Sequence, residues 1–137
     1  MAGAAGSGLL VAVGFAAGIA LATAIGWAQA PAAVKRTVLL TKPLAAKGYT
    51  AVVARGEVPP GMAAPRHSHP GDERVVLLEG EVEVDFDGAA PVRVRAGEAM
   101  HVEAGRVHRP RSVGDAPARF ISVWVVEDGK PLTMNAP

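Results

Sequence analysis

Cysteine is absent from this chain of 137 residues, and its absence excludes two kinds of stabilising link. Without thiols the chain forms no disulfide and no cysteine-ligated zinc site, so histidine and carboxylate side chains must hold any metal. Aromatic residues are also scarce, whereas there are 16 glycines and 11 prolines, which is typical of short strands joined by turns. The net charge of +1 gives no support for a basic nucleic-acid surface, so we expect no nucleic-acid partner.

Charged side chains are missing from residues 1–34, which separates an apolar leader from the rest of the chain. Residues 9–28 form an unbroken apolar run, and the small residues Ala28 and Ala30 precede Pro31. This pattern predicts a signal peptide over 1–30, cleaved after Ala30, and therefore a periplasmic or secreted protein. The basic n-region that such signals usually carry is missing.

Two alternatives for the leader stay open. An uncleaved anchor in the inner membrane is the first, because about 20 apolar residues are enough to cross a bilayer. The basic residues that follow the run would then hold the domain in the cytoplasm, and membrane contact would involve this segment alone. A buried helix of the domain itself is the second alternative.

Beyond residue 34 the apolar residues recur with a period of two, which is the period of β-strands. Residues 81–86 alternate acidic and apolar side chains, residues 92–95 alternate apolar and basic ones, and a turn signal lies between them. We therefore predict a β-hairpin with one buried face and with acidic side chains opposite basic ones on the other. Further strands are predicted over 34–40, 50–58, 74–78, 99–102 and 119–126.

Many short antiparallel strands within about 100 residues favour one all-β sandwich or barrel, spanning 34–126, with no amphipathic helix. The segment 127–137 is expected to be a loose C-terminal tail. Residues 120–126 are apolar on both faces. We expect one face to line the barrel and the other to meet a second subunit or the N-terminal strand.

Three of the four histidines and one glutamate have the spacing of a metal site. His67 and His69 are two residues apart, which on a strand directs both imidazoles to one face, and Glu73 can return to that face after a short bend. His108 follows Gly105 in a separate turn and strand. Three imidazoles and one carboxylate suit one divalent metal such as Mn, Fe, Ni, Cu or Zn, with positions left for water or substrate.

These residues lie in a pattern that resembles the first motif of the cupin superfamily. The motif is matched at each defined position and spacing by Gly61-x5-His67-x-His69-x3-Glu73-x6-Gly80. The agreement of this many defined positions within 20 residues makes the resemblance specific.

The second cupin motif is matched less completely. Gly97, Gly105 and His108 stand at the expected spacing, but Glu103 replaces the usual proline and Ser112 the usual asparagine. Neither departure touches a ligand, so both concern the geometry of the loop. The chain is similar to small single-domain, type-2-like cupins. That resemblance implies a conical jelly-roll barrel, or double-stranded β-helix, with His67, His69, Glu73 and His108 binding one metal.

The resemblance implies a small metal-dependent enzyme, because similar cupins include dioxygenases, isomerases and lyases that act on small molecules. Glu73 or a bound water would be available for proton transfer. The alternatives are an exported module that binds or senses a metal or small ligand, a barrel that its metal only stabilises, and a degenerate barrel without metal. Similar cupins are frequently dimers, so we expect a homodimer.

The remaining candidate residues surround this site. His101 is flanked by apolar residues that face the other way, and we do not expect it to be a ligand. Arg66 and Arg74 adjoin the ligands but are expected to be solvated. Core packing is the simpler role for most of the candidate pocket walls, which are Met62, Phe86, Met100, Phe120 and Trp124.

Overall fold

A computed structural model describes residues 34–137, whose regular structure is all β. The predicted leader and its cleavage site after Ala30 lie outside the described residues. Within 34–137, no helix has the length and apolar character needed to span a bilayer. The strands are β1 Lys35–Pro43, β2 Tyr49–Val58, β3 His67–Ser68, β4 Asp72–Glu79, β5 Glu81–Phe86, β6 Val92–Arg95, β7 Ala99–Val102, β8 His108–Val113, β9 Ala118–Glu127 and β10 Met134–Asn135.

The strands form two antiparallel sheets. One has the order β1-β2-β9-β4-β7 and the other the order β10-β3-β8-β5-β6. Several neighbours within each sheet are distant in sequence, as when β9 lies between β2 and β4. This connectivity confirms the predicted all-β jelly roll.

The predicted hairpin is formed by β5 and β6. Glu83 lies opposite Arg93 and Glu81 opposite Arg95, and the Arg93 Nε donates to Glu83 at 2.9 Å. Val84, which alternates with these acids, is buried. The alternation therefore produces one apolar face and one charged face, as predicted.

Buried apolar side chains form two clusters between the sheets. The larger cluster contains Val58, Leu77, Val82, Val84, Phe86, Val94, Val102 and Ala118. The smaller one contains Val52, Ala54, Trp124 and Val126, and the partly buried Leu132 packs against it. Trp124 thus belongs both to the core and, as described below, to the wall of a cavity.

The C-terminal segment differs from the prediction. Residues 127–137 were expected to be loose, but Met134 and Asn135 pair with β3 opposite Ser68 and His67. The amide of Ala136 also donates to the carbonyl of Arg66 at 3.0 Å. The prediction is wrong for this part of the tail because edge pairing requires backbone groups, which alanine and proline content does not reveal.

Glycine is required where the chain turns from the histidines into β4. A Cβ on Gly71 would lie 1.8 Å from the carbonyl oxygen of Val125 in β9. The absence of a side chain therefore lets this bend approach β9 closely. As a result β4 begins at Asp72, two residues earlier than predicted, and Glu73 lies on a strand.

The outer face of the first sheet is apolar at its centre. Leu40 lies opposite Val53, which in turn lies opposite Val123. Val76 and Ile121 form the adjacent row of the same face. Leu40 and Val76 are both exposed. The strand β9 therefore has two apolar faces, as its sequence indicates, but the partner of the outer face stays a prediction.

Candidate metal centre

Three histidines converge on the inner side of the second sheet. His67 on β3 lies directly opposite His108 at the start of β8, and their ring centroids are 4.3 Å apart. The ring of His69 lies 4.9 Å from that of His67 and 5.3 Å from that of His108. One nitrogen from each ring lies within 4.8 Å of the other two, so the group can hold a metal ion.

Backbone carbonyls orient all three rings. Nδ1 of His67 lies 2.7 Å from the carbonyl oxygen of Pro65, and Nδ1 of His108 lies 3.1 Å from that of Arg106. A carbonyl only accepts hydrogen bonds, so each Nδ1 must be the donor. In the neutral imidazoles the proton is therefore on Nδ1, and Nε2 keeps its lone pair.

His69 receives the same support from the C-terminal segment. Its Nδ1 donates to the carbonyl of Leu132 at 2.7 Å, and its own carbonyl accepts the amide of Gly105 at 2.7 Å. The two contacts fix the ring on one side and link its backbone to the loop before β8. Through the carbonyl of Leu132, the C-terminal segment therefore contributes to the site.

Glu73 directs its carboxylate at two of these nitrogens. Its Oε2 lies 3.3 Å from Nε2 of His69 and 3.5 Å from Nε2 of His108. Burial alone would raise the pKa of Glu73, but the contacts with His108 and His69 outweigh burial and lower it to about 2. The carboxylate is therefore ionised throughout the physiological range.

The donor set fits a divalent metal. Nε2 of His69 is buried without a hydrogen-bond partner among the described residues, although a carboxylate oxygen lies 3.3 Å away. Two acceptors that face each other need a cation between them or an added proton. Burial lowers the pKa of His67 to about 4, which keeps its imidazole neutral near pH 7. Neutral imidazoles and an ionised carboxylate are the forms that bind first-row metals.

A cavity of about 300 Å³ adjoins the histidines. Its wall is mainly apolar and includes Met100, Phe120 and Trp124. The ring of Trp124 lies 5.4 Å from that of His69. Phe86 and Met62 are not among the lining residues. Both belong to the larger core cluster or pack against it, so these two residues lie in the core.

The other predicted residues lie outside the cavity. His101 is exposed on β7, with Nε2 3.4 Å from a carboxylate oxygen of Asp72, so it faces away from the metal site as expected. Arg66 pairs with Asp87 at 2.7 Å and Arg74 with Asp72 at 3.6 Å, both at the surface.

The two departures from the second motif are accommodated locally. The hydroxyl of Ser112 is buried and donates to the carbonyl of Ala116 at 3.1 Å, which ties β8 to the turn that follows it. Glu103 is exposed and lies 3.9 Å from the guanidinium of Arg106. Neither residue contacts the histidines, which supports the view that the departures affect the loops.

Sequence reasoning missed the contributions of β1 and of the C-terminal segment to the cavity. Arg36, Thr133 and Asn135 line it together with the histidines. The role of Leu132 is carried by a backbone carbonyl, which leaves no signal in the sequence. Arg36 could have been considered from strand alternation, but β1 contains a bulge between Val38 and Leu40 that obscures its faces.

The chain is similar to known proteins in sequence and fold. The family model described as a cupin domain matches residues 54–126. Polyketide synthase CurC of Streptomyces cyaneus is 38% identical over 63 residues, which are 45% of this chain and 40% of that protein. The chain spans less than half the length of the first curated relatives that it matches.

Solved structures extend the similarity over most of the barrel. A Klebsiella pneumoniae protein with a double-stranded β-helix domain superposes with a TM-score of 0.64 at 23% identity, covering 79% of this chain and 88% of that one. The dimethylsulfoniopropionate lyase DddQ of Ruegeria pomeroyi superposes with a TM-score of 0.60 at 26% identity, covering 75% of this chain and 51% of that one. With its barrel, its motif histidines and the family match over more than half of its length, the chain belongs to the cupin family.

Proposed function

We propose that this protein is a metal-dependent enzyme that acts on a small organic molecule bound in the cavity. His67, His69, Glu73 and His108 would hold one divalent transition metal. The observation that carries the proposal is the convergence of three oriented imidazoles and a buried carboxylate on the wall of a cavity of about 300 Å³. Such a volume matches a compact organic substrate.

A metal bound there would act as a Lewis acid on an oxygen of the substrate. The chain's own groups prepare the site for that role. Carbonyls of Pro65, Leu132 and Arg106 fix the rings so that each Nε2 lone pair is available. The mainly apolar wall lowers the polarity around the site, which strengthens the electrostatic interactions within it.

Glu73 is better suited to be a ligand than a base. Its pKa, lowered to about 2, makes the carboxylate a weak acceptor of protons near neutral pH. A ligand role uses its negative charge without requiring protonation. Proton transfer by Glu73 stays a prediction, and a water in the cavity is the other candidate for that step.

The relatives support an enzyme without defining its reaction. The similarity to a lyase, DddQ, and to a polyketide synthase protein, CurC, shows that related barrels occur in proteins named for different chemistry. Dioxygenase, isomerase and lyase reactions on a small molecule therefore all belong in the substrate screen.

Two single histidine variants test the proposal. His69→Ala removes a buried ring with an unpaired Nε2, whereas His101→Ala removes an exposed ring on the outer face. Metal content should be about one ion per chain for the wild type and the His101 variant, and should fall for the His69 variant. Turnover in the screen should follow metal content. Equal metal content in all three proteins, or turnover that is independent of metal, would overturn the proposal.

A non-catalytic metal or small-ligand binding module is the second candidate. Among the described residues that line the cavity, Glu73 is the only acid and the imidazoles are those of the three metal-site histidines. The cavity therefore offers few groups for acid–base steps outside the metal site. Stoichiometric metal binding without turnover across the screen would favour this candidate.

Location and assembly complete the proposal. The apolar leader supports export to the periplasm or, if it is retained, anchoring by residues 9–28, and sequencing the mature N-terminus tests both.

The apolar outer face that includes Leu40, Val76 and Val123 supports a homodimer. Light scattering of the wild type and of a Val76→Asp variant tests that assembly, because the variant should shift toward monomer.

A further inference from the structure

The cavity wall carries a positive charge that the metal site does not use. Arg36 on β1 lies opposite Gly56 on β2, and a Cβ on Gly56 would meet the ring of Phe120 at 2.2 Å. Since directly paired residues share a face, Arg36 belongs to the inner face of the sheet. Its side chain lines the same cavity as the histidines and is exposed to solvent.

The guanidinium of Arg36 has contacts but no carboxylate partner. It lies 5.7 Å from the centroid of the Trp124 ring, and its Nη1 donates to the Thr133 hydroxyl at 2.9 Å. No acid within 34–137 forms an ion pair with it, and the first acidic residue of the whole chain is Glu57. By contrast, Arg93 contacts two glutamates on the outer surface.

Neighbouring side chains add hydrogen-bond donors to this region. The indole Nε1 of Trp124 is buried without an acceptor among the described residues. Asn135 also lines the cavity, and its amide can donate. A wall with a cation and an amide that can donate favours a ligand group that accepts hydrogen bonds and carries negative charge.

Lys35 also lines the cavity, but its strand position differs from that of Arg36. It pairs in register with Glu57 and therefore belongs to the opposite face of β1. The pKa of Glu57 is lowered mainly by its hydrogen bond from Arg119, with a smaller contribution from the charge of Lys35. Lys35 therefore contributes charge at the rim, and Arg36 is the cation of the inner face.

We propose that Arg36 is the specificity-determining residue of the cavity and that the substrate is a small organic carboxylate. This inference rests on the proposed function for the role of the metal site, but the anion subsite can be measured separately. A guanidinium matches the planar carboxylate with two parallel donors, and one cation balances one negative charge. Trp124 contacts both Arg36 and His69, so a compact molecule can reach the guanidinium and the histidine group from one cavity.

The test compares carboxylates with uncharged counterparts. The probes are monocarboxylates of four to eight carbons and their primary amides, titrated into the full chain with and without bound metal. Calorimetry reports affinity, and Trp124 fluorescence in a Trp27→Phe background reports binding beside the cavity. Arg36→Gln removes the charge, Arg36→Lys retains it, and Lys42→Gln is the control on the outer face of the same strand.

At least one carboxylate should bind the wild type about ten-fold or more tightly than its amide, since a charge-assisted hydrogen bond has this effect. Arg36→Gln should abolish that preference, Arg36→Lys should restore part of it, and Lys42→Gln should leave it unchanged. Metal content should be equal in all four proteins. Carboxylate binding should also weaken as salt is added.

Three outcomes would overturn the inference. They are the absence of any carboxylate preference in the wild type, an undiminished preference in Arg36→Gln, and stronger competition by inorganic phosphate than by the best carboxylate. Loss of metal binding in the wild type with an intact carboxylate preference would instead refute the metal-dependent function alone. The two proposals therefore fail in different measurements.

Discussion

Exchange of Glu73 for glutamine separates metal binding from folding. The substitution keeps the size of the side chain and replaces the carboxylate that lies 3.3 Å from His69 and 3.5 Å from His108. The amide nitrogen of glutamine can donate to these Nε2 atoms, so we expect the metal-free melting temperature to change by no more than about 5 °C. A neutral amide is a poor metal ligand, and we expect the metal dissociation constant to rise by about 100-fold or more.

The magnitude follows from mass action. Metal at about 100 times its dissociation constant stabilises the wild type by about 2.7 kcal/mol. For a domain of about 100 residues this corresponds to a rise in melting temperature of about 10–20 °C. At the same metal concentration a 100-fold weaker site gains only about 0.4 kcal/mol, or about 2–3 °C.

Thermal melts with and without Mn, Fe, Ni, Cu or Zn provide the assay, with His101→Ala as the surface control. The control should keep the full metal-induced shift, because its ring lies on the outer face with Asp72. A Glu73→Gln variant that shows the wild-type shift would refute the assignment of this carboxylate as a ligand. A variant that fails to fold without metal would refute the separation of the two roles.

Three further predictions concern the surroundings of the site. Because burial lowers the pKa of His67 from 6.5 to about 4, the unfolded chain binds a proton in this window that the folded chain does not. Stability of the metal-free protein should therefore fall from pH 6.5 to 4 by about 1–2 kcal/mol after discounting partial exposure, and urea titrations should show a smaller fall for His67→Gln. Gly71→Ala should lower the free energy of unfolding by about 3 kcal/mol or more, as measured in thermal melts, since its Cβ would meet the Val125 carbonyl at 1.8 Å. An unchanged free energy of unfolding would show that this bend can shift. Deletion of 132–137 should weaken metal binding by about 10–100-fold, because His69 loses the carbonyl that orients it. Deletion of Pro137 alone should leave metal binding unchanged. Equal metal affinities of the two deletion variants would contradict the orienting role of this carbonyl.

Most of the barrel could be predicted because its strands alternate clearly. Glu81 and Glu83 are separated by valines, so their faces and their basic partners on β6 follow from a period of two. The short strands were harder to predict: β3 has two residues, and no alternation exists over such a length. β1 was also unclear, because a bulge near Val38 changes which residues face inward.

The histidines could be identified because metal ligation requires particular side chains at particular spacings. Their supports could not, since the carbonyls of Pro65, Arg106 and Leu132 are backbone groups that any residue supplies. Met62 and Phe86 illustrate a related limit. Alternation distinguishes inside from outside, but it does not distinguish a core position from a cavity wall within one barrel.

The C-terminal segment connects the metal site with the anion subsite. The carbonyl of Leu132 orients the ring of His69, and the hydroxyl of the next residue, Thr133, contacts the guanidinium of Arg36. Both contacts depend on β10, which is held by pairing with β3. If the segment detached, the metal ligand and the carboxylate-binding cation would lose support together. Metal and carboxylate should therefore favour the same docked state of this segment, so each should increase affinity for the other.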